Sequence, residues 1–316
     1  MPATGPDNNV MVPAKIKGIL APVLTPFDQN AQPNVGRLVG HSKWLLENGC
    51  DGLVLFGTTS EANSLSVGER KRLAEQVVST GISAQKLIVG TGCCSLSDSI
   101  ELTKHAIELG SAGALVLPPF YYKSVPDEGL FRYFGWLIDR VSDARLRLYL
   151  YHIPPVAQVG FSLPLVKKLT ERFPGTLAGI KDSSGDWENT KALITGLGTQ
   201  DFDVFPGNES YLFAALQVGA TGCISATANV AAQSLQAVFQ NWRTPAAKEL
   251  QEAAGRVRMA FQKYPIIPGL KAVLAKALND ELWKNVLPPF LPLSLVDSEK
   301  LFASLAEAGF AWSAFS

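Results

Sequence analysis

From Gly18 onward, apolar residues gather into short runs, each followed by a polar loop and then by a stretch of helical spacing that ends near glycine. That alternation predicts β/α units. The first run is GILAPVLTPF (18–27), after which Val35, Leu38, Val39, Leu45 and Leu46 recur at helical intervals until Asn48 and Gly49. DGLVLFG (51–57) gives a second strand, and Ser66 with Glu69 has capping-box spacing for a helix that closes at Gly81. KLIVGTG gives a third, followed by Ser95 and Asp98 in the same spacing and a helix to Gly110. AGALVLPP is the fourth, and Pro126 is placed for the first turn of a helix carrying Leu130, Phe131, Phe134, Leu137, Ile138 and Val141. RLRLYLYHIPP ends the fifth strand in a proline pair that cannot continue a ladder, and Ser162 with Pro164 opens the next helix. Residues 177–180, 202–207 and 221–225 supply strands six to eight.

Eight such units lie between residues 18 and 242, about 28 residues each, which matches a closed (β/α)8 TIM barrel better than an open sheet. An open nucleotide-binding sheet would carry a glycine-rich turn after its first strand, and APVLTPFDQN contains none. Three further helical stretches follow, at about 245–263, 268–278 and 298–308, separated by prolines at 265, 288, 289 and 292. The expected organisation is therefore a tail over 1–15, a catalytic barrel over 16–243 and a helical region over 244–316.

Composition narrows the class of partner. Lysine plus arginine equal aspartate plus glutamate at 28 each, so no field of one sign points to nucleic acid or to an anionic membrane. No apolar run reaches about 18 residues, and the amino terminus lacks the pattern of a signal peptide. Cys50, Cys93, Cys94 and Cys223 form no CxxC pair, and only three histidines accompany them, so a metal site is not expected and a reducing, cytoplasmic compartment is.

In a parallel barrel the loops at the carboxyl ends of the strands share one face, where ligands bind. The polar residues just past each strand here are Thr58 and Thr59, Tyr121 and Tyr122, Tyr151 and His152, Lys181, Asn208 and Glu209, then Ser225 and Thr227. Lys181 stands out, because an amine half surrounded by apolar walls loses hydration of its charged form and can become a neutral nucleophile for a ketone. With phenols to move protons and a hydroxyl-bearing loop to hold a carboxylate, the set suits a 2-keto acid. A structural lysine paired with Asp182 is the competing reading. Gln158, Gly207, Asn208 and Glu209 are candidates for gripping substrate hydroxyls, although Asn208 also has the look of a helix cap and Glu209 of a solvated acid.

GTTSE (57–61), PPFYY (118–122), LYHIP (150–154), GIKDSSGD (179–186) and GCISATANV (222–230) together resemble the dihydrodipicolinate synthase/N-acetylneuraminate lyase family. The similarity runs in register from about residue 15 to about residue 278, with PIIPGLKAVLAKAL similar to the family's carboxy-terminal helices. The resemblance implies a class I aldolase in which pyruvate, or the pyruvate part of a longer 2-keto acid, forms a Schiff base on Lys181. It further implies that Tyr151 relays protons and that Thr59 links this phenol to another. Thr58 and its loop would hold the pyruvate carboxylate, with the backbone of Ile224 facing the substrate. Tyr121 would enter a neighbouring subunit's site, making a dimer the smallest complete unit and a tetramer the usual assembly.

Three positions depart from the family pattern. Val156 stands where the lysine-pathway synthases place an arginine for the second substrate's carboxylate, Ser60 where glycine is common, and His152 where asparagine is frequent. The expectation is thus a cofactor-independent, metal-free lyase that joins or cleaves a carbon–carbon bond beside a pyruvate-derived imine, with an aldehyde as second partner. The lysine-pathway synthase itself, a dehydratase of deoxy-keto sugar acids, and a non-catalytic keto-acid-binding protein are the alternatives.

Overall fold

Each apolar run becomes a short strand buried on both faces, the condition in which alternation is lost and leucine, isoleucine and valine follow one another. A computed structural model of the chain describes residues 14–197 and 201–312. The tail expected over 1–15 lies outside the described residues as far as position 13. The strands are β1 Gly18–Pro22, β2 Gly52–Leu55, β3 Leu87–Gly90, β4 Gly113–Val116, β5 Leu148–His152, β6 Leu177–Asp182, β7 Asp203–Pro206 and β8 Gly222–Ile224. The helices are α1 Val35–Glu47, α2 Val67–Ser79, α3 Leu96–Glu108, α4 Asp127–Val141, α5 Pro154–Ala157, α6 Leu163–Arg172, α7 Trp187–Leu197, α8 Leu212–Gln217 and α9 Ala228–Asn241. After them come α10 Ala247–Phe261, α11 Ile266–Ala277 and α12 Leu295–Glu307.

The strands pair in parallel, in the order β7-β6-β5-β4-β3-β2-β1-β8. The ring closes between β7 and β8, where the Thr221 amide donates to the Val204 carbonyl at 3.0 Å. The Thr221 hydroxyl reinforces that seam, accepting from the Val204 amide and donating to Asp203, each at 3.3 Å. This is the expected eight-stranded barrel. Its lumen is filled by Leu20, Val54, Ile88, Leu115, Tyr149, Phe205 and Ile224, while residues such as Ile19, Leu53 and Val204 face the helices.

Several local expectations change. The first strand stops at Pro22, because residues 23–34 turn across the barrel's rim, with the Leu24 amide bonded to the Asn229 side chain. Pro126 is the extended N-cap of α4 rather than its first helical residue. The proline pair that ends β5 also starts α5, where prolines without amide donors fit the first turn. The Ser66–Glu69 capping box is complete, whereas for Ser95 the structure gives the serine half, the Asp98 amide donating to its hydroxyl. The last helix begins at Leu295, capped by Ser294, three residues earlier than the expected 298.

Helices α10, α11 and α12 share a core with Leu24 and Val230 at the carboxyl end of the barrel. That placement brings residues remote in sequence onto the rim at the strands' carboxyl ends. Among the described residues no helix is long and apolar enough to cross a membrane.

Candidate active site

Lys181 faces the lumen because of a bulge. In the β5–β6 ladder Leu148 pairs with Leu177 but Tyr149 pairs with Gly179, so Ala178 is an extra residue on β6. Strand side chains alternate, so one extra residue inverts every side chain beyond it. Counted from the outward Leu177, a regular strand would turn Lys181 toward the helices; the bulge brings it into register with Tyr151 on the inner face. Glycine is required at 179, where a Cβ would lie 2.3 Å from the Asp203 carbonyl oxygen and 2.9 Å from the Tyr149 ring.

The same inversion sends Asp182 outward. Its carboxylate accepts from the Thr190 hydroxyl at 2.5 Å, the Asn189 amide at 3.2 Å and the Ser184 backbone at 3.0 Å. The structural alternative, Lys181 paired with Asp182, is therefore not what forms. Lys181 is 3% exposed, and its Nζ lies 4.3 Å from the centre of the Tyr151 ring. Among the described residues no carboxylate comes within ion-pair distance of it.

Lys181 opens into a cavity of about 260 Å³ whose walls include Thr58, Thr59, Tyr151, Gly207, Asn208 and Ile224. Lys181 and these six candidates thus meet in one place. The Thr58 hydroxyl lies 3.3 Å from the Tyr151 phenol, so the contact expected of Thr59 belongs to Thr58; Thr59 is buried beside it on the cavity wall. Both sit in a 3₁₀ turn, Thr58–Ser60, which leaves backbone amides free of helical partners. Glu61 ends that turn in the left-handed conformation at φ 55°, a state that costs a non-glycine residue about 1 kcal/mol. It is held there by the buried ammonium of Lys271 on α11 and by the Leu287 amide at 2.7 Å. Burial pulls the Lys271 ammonium down to about 8, with Glu61 opposing the shift.

Gly207 approaches β6 closely: its amide donates to the Asp182 carbonyl at 2.6 Å, and a Cβ would lie 2.0 Å from the Ser183 hydroxyl. Asn208 lines the cavity and also caps the following turn by accepting from the Ser210 amide at 3.0 Å. Glu209 is not solvated. It is 1% exposed, accepts hydroxyl bonds from Ser225 and Thr227, and lies 3.5 Å from Arg258 of α10.

Two expected members are elsewhere. Gln158 is exposed, in the left-handed position that ends α5, and is not among the residues that line the cavity. Tyr121 is 74% exposed and stacks edge-on against Tyr122, and it lines no part of this chain's own cavity. His152 is a packed core residue: its Nδ1 accepts from the Phe161 amide at 2.9 Å, and burial lowers its pKa against the pull of Asp182. Ser183, Ser184 and Arg258 are lining residues that the strand-end list omitted. The serines follow Lys181 by two and three positions and were within reach of that rule; Arg258, on a helix outside the repeat, was not.

A family model described as the Dihydrodipicolinate synthetase family matches residues 15–308. An uncharacterized DapA-like lyase of Chloroflexus aurantiacus is 34% identical over 289 residues, covering 89% of this chain and 93% of that protein. The crystal structure of dihydrodipicolinate synthase from Agrobacterium tumefaciens superposes with a TM-score of 0.86 at 28% identity, covering 92% of this chain and 99% of that one. YagE of E. coli K12, a prophage protein of the same family solved in complex with pyruvate, gives a TM-score of 0.85 at 27% identity, covering 94% and 100%.

Proposed function

The chain belongs to the dihydrodipicolinate synthetase family and is a lyase of that kind, and from that premise we propose that Lys181 is its Schiff-base residue. The observation that carries this reading is a buried amine, without a carboxylate partner among the described residues, facing a phenol across a cavity at the barrel's carboxyl rim. Lys181 Nζ attacks the ketone carbon of pyruvate or of a longer 2-keto acid, and loss of water leaves an iminium. Thr58, Thr59 and the amides of their turn hold the adjacent carboxylate. In the cleavage direction Tyr151 takes the proton from the hydroxyl at C4, and the C3–C4 bond breaks to release an aldehyde. The bonding pair flows into the iminium to give an enamine, which is protonated at C3 and hydrolysed. Condensation is the same path reversed. Tyr151 is able to take the C4 hydroxyl's proton because it gives its own to the hydroxide that leaves when the iminium forms, and Thr58, at 3.3 Å, hydrogen-bonds its oxygen.

The exposed Tyr121, absent from its own cavity, supports a role in a neighbouring subunit's site and hence a dimeric or tetrameric enzyme. The four free cysteines fit a cytoplasmic location. Val156, 63% exposed on the cavity wall, cannot offer the donor fork that the lysine-pathway synthases carry at that position, so an acidic second substrate would need its cation from elsewhere on the wall.

Treating the protein with pyruvate and borohydride should add the mass of a reduced pyruvyl group to the peptide containing Lys181. A peptide recovered unmodified, or an adduct on another lysine, would remove the basis of this assignment.

A further inference from the structure

Resting on the Schiff-base reading, we propose that Arg258 recognises a carboxylate on the part of the substrate beyond the pyruvate carbons, so that the second partner is an acidic aldehyde. The cavity walls carry two cations, Lys181 and Arg258, and no carboxylate. Lys181 is consumed in the imine, and the pyruvate carboxylate is assigned to the Thr58 turn after β2. Arg258 enters from α10 beside Glu209, after β7, three strands round the ring from that turn. The two anion-binding elements therefore come from separate parts of the rim, one after the strand next to that of Lys181 and one after the strand across the ring from it.

Arg258 has donors to spare. Its Nη1 is 3.5 Å from Glu209, whose oxygens already accept from the Ser225 and Thr227 hydroxyls. Its Nε is buried with no partner among the described residues, and the side chain as a whole is 21% exposed. A guanidinium held on one side by a buried acid, with part of its side chain exposed at the cavity wall, is preorganised to donate to a planar carboxylate. Val156 leaves the β5 side of the mouth without such a group, so the charge that family relatives with an arginine there would supply from β5 comes in this chain from α10.

The test compares aldehyde acceptors in pairs that differ by a terminal carboxylate, glyoxylate against acetaldehyde and succinic semialdehyde against butanal, each with pyruvate. Wild type should favour the acidic member. Arg258→Gln should lower kcat/KM for the acidic acceptors roughly 10- to 100-fold, mostly through KM, while the neutral acceptors change less than about threefold. Borohydride trapping of pyruvate on Lys181 should be unchanged. Arg258→Lys keeps a charge opposite Glu209 but loses the fork, so it should show the same selective loss to a smaller degree, and it decides the question if the glutamine variant fails to fold. No preference in wild type, or an equal loss on both members of a pair, would overturn the assignment with trapping intact. Absence of trapping in wild type would overturn the Schiff-base reading and this inference with it.

Discussion

The hydroxyl of Thr58, after β2, lies 3.3 Å from the phenol of Tyr151, at the end of β5, and the phenol ring in turn lies 4.3 Å from the Lys181 amine. Three strands thus bring a hydroxyl, a phenol and an amine together. Tyr151→Phe keeps the ring that packs against Lys181 and removes only the acid–base group. Its kcat should fall by about 10²- to 10⁴-fold, while pyruvate is still trapped on Lys181. Thr58→Val should lower kcat by roughly tenfold, within the range of one neutral hydrogen bond, and add little in the Tyr151→Phe background. Full additivity of the two changes in single-turnover measurements would show that the hydroxyl does not act through the phenol.

Glu61 and Lys271 form an ion pair with both side chains fully buried, and the pair holds the turn that carries Thr58 and Thr59. Lys271→Met should cost about 3–5 kcal/mol in denaturant unfolding, because it leaves an uncompensated carboxylate in the interior. Replacing Glu61 by leucine in the same chain should recover much of that stability by removing the stranded charge. Activity should not return with it, since the turn would lack the bonds from Lys271 and Leu287 that keep residue 61 left-handed. Equal recovery of stability and kcat/KM would argue that the turn needs no pin.

His41 on α1 is 5% exposed, bonded at 3.1 Å to Asn229, and burial lowers its pKa from 6.5 to about 4. The unfolded chain therefore takes up a proton near pH 6.5 that the native state refuses until about pH 4. The stabilisation is fully present above pH 6.5 and is lost as pH falls toward 4, amounting to about 3 kcal/mol at most. Urea unfolding of wild type and His41→Gln between pH 7 and 4 should show the wild type losing the larger share. Parallel curves would mean that His41 titrates normally in the folded protein.

The barrel was legible because eight units repeat one pattern, and Lys181, Tyr151, Thr58, Thr59, Gly207, Asn208 and Ile224 converge on one cavity because each stands at a strand's carboxyl end. What the pattern could not carry was parity. A single extra residue at Ala178 decides which way Lys181 points, and a four-residue apolar run looks the same with or without it. Gln158 does not line the cavity, and the short helix that the proline pair starts, which ends at that residue, is not announced by the strand pattern. Arg258 escaped notice because it belongs to a helix that reaches the rim only through tertiary packing. For Glu209 a substrate-gripping group and a solvated acid both fit the sequence, because nothing in its neighbours announces the hydroxyls of Ser225 and Thr227, supplied by the next strand's loop.

The pin between Glu61 and residues 271–287 also orders events during synthesis. When the first two strands and the threonine turn leave the ribosome, the ammonium and the amide that fix residue 61 are still more than two hundred codons away. A nascent chain bearing all eight strands still lacks the groups that pin residue 61. A finished pocket therefore waits on α11 and the Leu287 amide beyond it, both translated after the whole of the barrel.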